Sequence, residues 1–325
     1  MFKVDYMVQA RGLAKHFPSR AGGIEAVRGV DIDVEVGEIV GFLGPNGAGK
    51  TTTLRMLTTL LTPTAGTATV AGHDLRREPI AVRSRIGYVP QRGSTSPQAL
   101  VGEELVDHGR LHGLSRATAE DRGRALIAAL DLDSTWDRPC GTLSGGQRRR
   151  LDIALGLIHE PPLLFMDEPT TGLDPQSRAN LWQHVRGLRD GGVTVFLTTH
   201  YLDEADALCD RILVIDHGEI VAAGTPAELK REVSGDRVAL QLHDPARLGS
   251  ARTVLERIAG VTVMRGDGDL LDFSLPDASA ALPGVMASLA SVGVTLAGIE
   301  VRRPTLDDVF LSLTGRELRD QPIAA

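Results

Sequence analysis

The 325-residue chain has only two cysteines, Cys140 and Cys209, so no disulfide framework can hold it together and a reducing cytosol is the expected setting. Aromatic residues make up 4%, too few for platforms on which single-stranded nucleic acid would stack. Basic residues do not dominate. The 35 Lys and Arg face 42 Asp and Glu, and the net charge of −7 argues against a nucleic-acid partner. No apolar run reaches the roughly 18 residues that a membrane-spanning helix needs. Lys3, Asp5 and Arg11 interrupt the N-terminal segment, so no signal peptide is expected. The two asparagines, Asn46 and Asn180, open no Asn-Lys-x-Asp loop, which disfavours a guanine reader. What is present is 42% hydrophobic and 24% charged residue content, enough for a buried core, in a length that allows about two domains.

Along the chain, strands separated by turns are expected between Val8 and Leu43, then a helix from Lys50 to about Leu60. Extended structure resumes at Ala68 to Val70 and again at Arg85 to Val89. Between about 92 and 160 the spacing is helical only, at Glu103 to Leu111, Ala117 to Leu130 and Gln147 to Ile158. Leu163 to Met166 is a continuous apolar run, the pattern of a buried parallel strand. A helix over Pro175 to Asp190, a strand over Val193 to Thr198, a short helix near Asp203 and a strand over Arg211 to Ile215 complete an α/β layout. Past Lys230 the order is strand, helix, strand, strand, helix, strand, a split βαβ or ferredoxin-like arrangement, followed by a helix over Thr305 to Leu313.

Three short segments carry chemistry. Gly44-Pro45-Asn46-Gly47-Ala48-Gly49-Lys50-Thr51, followed by Thr52, fits G-x-x-x-x-G-K-[ST] between a strand and a helix. Glycines there let backbone N–H groups turn inward as a nest for phosphate oxygens, and the helix N-terminus adds positive potential. Lys50 can reach the β- and γ-phosphates, and the Thr51 hydroxyl can ligate Mg²⁺. Second, the apolar strand before Asp167-Glu168-Pro169 ends in two acids. Asp167 suits the metal, and Glu168 is the candidate general base for an attacking water. Third, Ser144-Gly145-Gly146-Gln147 precedes a helix and forms a second anion-binding device. Part at least of the following Arg148-Arg149-Arg150 reads as a solvated helix face. His108, His112 and His159 show no ligand spacing that points to zinc.

Together, Leu143-Ser-Gly-Gly-Gln147, the phosphate loop and the Asp-Glu strand resemble the motifs of ATP-binding cassette (ABC) ATPases over about residues 8 to 230. The resemblance implies a phosphate-loop α/β domain at 1–232, with a mixed sheet core and a helical subdomain at about 92–160, and a small α+β domain at 233–325. It implies ATP and Mg²⁺ as cofactors. Gln91 falls where the family has a glutamine contacting Mg²⁺ and water. His200 matches the histidine that contacts the γ-phosphate, and Gly172-Leu173-Asp174 matches the D-loop. Phe17 falls where an aromatic stacks on adenine, with Val27 beside it; Tyr6 is another nearby aromatic. Family members pair head to tail, so Ser144, Gly145, Gly146 and Gln147 would close over ATP held by Lys50 of a second copy.

The run from Arg302 to Gly315 resembles the tail of drug-exporter ATPases of the daunorubicin/doxorubicin-resistance type. That resemblance implies efflux of drugs, antibiotics or lipids, a separate multi-span permease, and a peripheral place on the cytoplasmic side of the membrane. An importer ATPase would carry a similar cassette. A soluble repair or translation factor would usually bring a long coiled coil or two cassettes. Where relatives have a Glu-Asn-Leu step, this chain reads Val101-Gly-Glu-Glu-Leu-Val106.

Overall fold

The computed structural model describes residues 6–18, 23–93, 95–233 and 235–315. The chain forms two compact units divided between Thr225 and Pro226. The domain boundary expected after residue 232 falls before the helix Pro226–Val233, which packs on the chain's last helix, Leu306–Thr314.

The first unit runs β1 (Tyr6–Phe17), β2 (Ile24–Glu35), β3 (Ile39–Leu43), α1 (Lys50–Leu57), β4 (Ala65–Val70), β5 (His73–Asp74), α2 (Pro79–Arg85) and β6 (Ile86–Val89). Three helices follow, α3 (Val101–Leu111), α4 (Arg116–Ala129) and α5 (Gly145–Leu157). The chain then returns through β7 (Leu163–Asp167), α6 (Pro175–Asp190), β8 (Thr194–Thr199), α7 (Leu202–Leu208), β9 (Arg211–Asp216) and β10 (Glu219–Gly224).

Six strands form one sheet in the order β10-β9-β3-β8-β7-β6, parallel except for the edge strand β10. Every residue of β3, β7 and β8 is buried, as strands covered on both faces require. At the centre the Phe196 ring packs at a tilt against Phe42 and Phe165, with centroids 5.6 Å apart in each pair. The second sheet, β2-β1-β4-β5, is antiparallel and shares its buried face with the first through Val8, Ala10, Leu13 and Ile32.

Helix α1 stops at Leu57 rather than at Leu60. The Thr58 hydroxyl bonds back to the Leu54 carbonyl at 2.9 Å, and Thr59 turns into the left-handed region at φ 63°. The edge strand β10 and the short α2 escape a reading from periodicity because each is brief and half exposed.

The second unit begins with α8 (Pro226–Val233). It continues β11 (Asp236–Leu242), α9 (Leu248–Leu255), β12 (Thr262–Asp267), β13 (Leu270–Leu275), α10 (Ala278–Ser291), β14 (Leu296–Arg302) and α11 (Leu306–Thr314). Its sheet is antiparallel in the order β12-β13-β11-β14, the split βαβ topology. Alternate residues Val238, Leu240, Leu242, Leu271, Phe273 and Leu275 pack against Ala251, Leu255, Val285 and Leu289. Helix α9 begins only at Leu248, because Pro245–Arg247 forms a 3₁₀ turn first. No helix among the described residues is long and apolar enough to cross a membrane.

Candidate active site

The loop between β3 and α1 wraps a cleft of about 220 Å³. Pro45, Asn46, Gly47, Gly49, Lys50, Thr51 and Thr52 line it, with Ala26, Gln91 and Glu168 opposite. A larger cavity, about 510 Å³, lies in the second unit and contains none of these residues. Gly47 and Gly49 adopt φ of 81° and 109°, conformations that open the loop and that a side chain would strain. Gly44 backs onto β9 so closely that a Cβ would lie 2.2 Å from the Ile215 carbonyl oxygen, and Ala48 is buried beneath the loop. Gly49 caps α1 without any side-chain hydrogen bond, and no acid occupies the first turn. The helix therefore presents N–H donors and positive potential to the cleft, which fits an anionic phosphate.

Lys50 is buried, and its Nζ donates to the Gly44 and Pro45 carbonyls at 2.7 and 3.1 Å. It also lies 3.4 Å from Glu168 Oε1. Burial lowers the Lys50 pKa, against the pull of Glu168. Strand β7 delivers Asp167 and Glu168 to the same place. The Thr51 hydroxyl donates to Asp167 Oδ1 at 3.1 Å, and Thr198 Oγ1 donates to the same oxygen at 2.7 Å. Glu168 stands at φ 44°, a left-handed conformation that costs strain in a residue with a side chain. Its Oε2 accepts from Gln91 Nε2 at 2.8 Å and lies 3.4 Å from His200 Nδ1, which has no other partner among the described residues. Burial pushes the Glu168 carboxyl up, but the His200 ring and the Lys50 ammonium outweigh it and hold the pKa at about 2.

The fold thus gathers Lys50, Thr51, Gln91, Asp167, Glu168 and His200 from four separate segments around one cleft. A hydroxyl, a carboxylate and an amide oxygen form a hard donor set suited to Mg²⁺. Among the described residues, no cluster of three or more His, Cys, Asp or Glu assembles a dedicated metal cage. The remaining ligand positions therefore suit phosphate and water, the way Mg²⁺ is held beside nucleotides.

Other expected residues lie elsewhere. Val27 is buried in the core at 1% exposure, and its neighbour Ala26 supplies the cleft wall instead. Phe17 ends β1 at 37% exposure with Lys15 Nζ 5.2 Å above its ring, and does not line the cleft. Ser144, Gly145, Gly146 and Gln147 open α5 outside the cleft. Ser144 and Gln147 form a reciprocal capping box at 3.1 and 3.2 Å, and Gly146 lies against Ser177 beside the D-loop.

Two residues outside every motif meet the backbone at Glu168 and its neighbour. Thr198 orients both acids, since its hydroxyl also accepts from the Glu168 N–H at 3.0 Å; the pair Thr198-Thr199 closing an apolar run is the available signal. Arg149 is no solvated residue but is buried at 6% exposure. Periodicity does not single it out, since Arg150 leads an equally apolar stripe through Ile153, Ala154 and Leu157. His108, His112 and His159, without ligand spacing, assemble a stack in which the last two rings lie 3.8 Å apart at 6°.

The chain is similar to known proteins over most of its length. Residues 27–171 match the ABC transporter family model, and 224–314 match that of the ATP-binding protein DrrA1-3-like C-terminal domain. Daunorubicin resistance ATP-binding protein DrrA3 of Streptomyces coeruleorubidus is 47% identical over 92% of this chain and 94% of its own length. Nod factor export ATP-binding protein I of Cupriavidus metallidurans is 41% identical over 97% of this chain and 99% of its own. Among solved structures, a dimeric ATP-binding cassette in a post-hydrolysis state with ADP and Pi superimposes with TM-score 0.62 and 26% identity. That match covers 67% of this chain and 98% of the cassette. The chain belongs to the ATP-binding subunits of ABC transporters and is the ATP-hydrolysing subunit of an exporter.

Proposed function

We propose that the chain energises efflux of a drug, antibiotic or lipid-like cargo through a separate multi-span membrane permease, as a pair of cassettes at the cytoplasmic side of the membrane. One observation carries the pairing: Lys50 and Glu168 share a cleft that Ser144 to Gln147 do not enter. A signature segment outside its own cleft needs a second copy to serve one, and the cassette relative bound to ADP and Pi is dimeric. The cargo class rests on the relatives' names, which refer to daunorubicin and to Nod factor.

In this reading the N-terminal amides of α1 and Lys50 bind the β- and γ-phosphates. Thr51, Asp167 and Gln91 would hold Mg²⁺, which offsets phosphate charge when bound. Glu168 takes a proton from water, and His200 and Lys50 balance charge on the γ-phosphate. Catalysis is positioning and electrostatics, without a covalent intermediate on the protein.

Purification of the full-length chain from detergent-solubilised membranes tests the assembly. Recovery with a protein carrying several apolar spans of about 20 residues is the expected result. Recovery wholly without such a protein refutes the permease. ATP-dependent accumulation of an anthracycline in inverted vesicles bearing both proteins tests the direction and the cargo class.

A further inference from the structure

Arg149 sits one turn into α5, and its three guanidinium nitrogens serve three backbone carbonyls. Nε donates to Pro169 O at 2.8 Å, Nη2 to Asp167 O at 3.1 Å, and Nη1 to Pro90 O at 2.5 Å. The first two carbonyls flank Glu168, and the third immediately precedes Gln91. The Glu168–Gln91 hydrogen bond closes this ring from the other side. Asp152, one turn further along α5 and 7% exposed, faces Arg149 Nη1 at 3.7 Å. Its carboxylate also lies so close to Gly93 that a Cβ there would be 2.7 Å from Oδ1. One rigid planar group therefore spans the signature helix, the end of β7 and the segment carrying Gln91. A lysine ammonium could not reproduce that fork.

We propose that Arg149, held by Asp152, is a positioning residue for hydrolysis: it clamps the strained backbone at Glu168 and the approach to Gln91, and so ties both to the helix that begins at Ser144. This rests on Glu168 and Gln91 serving the reaction, and it adds that α5 sets their placement. Closure over the head of α5 would then be felt at the attacking-water site through Arg149, a rigid connection between two elements.

The test uses the full-length protein with Arg149→Lys, Asp152→Asn and Gly93→Ala, and with Glu168→Gln as the check on the underlying reading. Steady-state phosphate release over a range of ATP gives kcat and KM. A fluorescent ATP analogue gives nucleotide affinity, and thermal melting reports folding. Arg149→Lys keeps the charge but loses the fork, and is expected to lose roughly tenfold or more in kcat, the scale of sub-ångström misplacement. Nucleotide affinity should stay within about twofold, measured well below the melting temperature. Gly93→Ala leaves Arg149 intact but pushes the Gln91 segment off Asp152, and should lower kcat in the same way. The proposal is overturned if Arg149→Lys and Asp152→Asn keep wild-type kcat. It is equally overturned if their losses track the unfolded fraction alone, which is what a purely structural role gives. If Glu168→Gln hydrolyses normally, the reading of the site fails instead, whatever the Arg149 variants do.

Discussion

Replacing Glu168 with glutamine should separate binding from hydrolysis, and the structure gives the size of each effect. Lys50 Nζ rests 3.4 Å from Glu168 Oε1. The Glu168 pKa of about 2, against an ordinary 4.5, corresponds at 1.36 kcal/mol per pH unit to about 3 kcal/mol in favour of the carboxylate. The open cleft screens part of this, leaving about 1–3 kcal/mol. Glu168→Gln should therefore destabilise the fold by about that amount, since His200 and Lys50 both lose their anionic partner. Phosphate must displace Glu168 from Lys50 in the native protein, so the variant should bind ATP at least as tightly as wild type. Turnover should fall by about 10²–10⁴-fold, the usual contribution of a positioned base, or about 3–5 kcal/mol of barrier. Phosphate release, titration with a fluorescent ATP analogue and thermal melting measure the three quantities. Hydrolysis within a few-fold of wild type, or clearly weaker ATP binding, refutes the reasoning.

Lys50→Ala should abolish nucleotide binding, because the loop amides alone leave the phosphate charge poorly balanced; titration with the same analogue reads this directly. Gly49→Ala should lose binding as well, since φ 109° strains alanine and its Cβ would lie 2.5 Å from the Ala26 carbonyl oxygen; a retained affinity would mean that the loop is not the phosphate cradle. The Glu168 contribution should also show a defined pH dependence. A carboxyl whose pKa is lowered on folding stabilises above its unfolded value and ceases to do so as pH falls through the folded one. The stability difference between wild type and Glu168→Gln should thus be full above about pH 4.5 and fade toward pH 2 in chemical denaturation. A constant difference across that range contradicts the ion pair.

What was legible in the sequence was what contiguous residues decide among themselves. The phosphate loop is such a case: its nest depends on the local conformations of Gly47 and Gly49 and on the start of one helix, all within a few residues. The apolar run of β7 and the alternation of β11 and β13 likewise carry their own burial pattern, and so the two sheets that hold them could be anticipated. A pair such as Thr51 and Asp167, 116 positions apart, could be matched only because each bears a recognisable local signature.

Tertiary structure alone decided which side chains reach the cleft. Side chains in a strand alternate faces, so a change of one position in β2 moves Val27 into the core and gives the wall to Ala26. The same holds for Arg149. Within a run of three arginines the composition is uniform, and only the packing of α5 against β6 and the end of β7 selects the middle one for burial. Short-range chemistry is written in consecutive residues, because a loop conformation costs and gains its energy locally. The placement of Arg149, Thr198 and Gln91 about Glu168 depends on backbone groups that every residue carries alike, and these acquire meaning only when the chain brings them together.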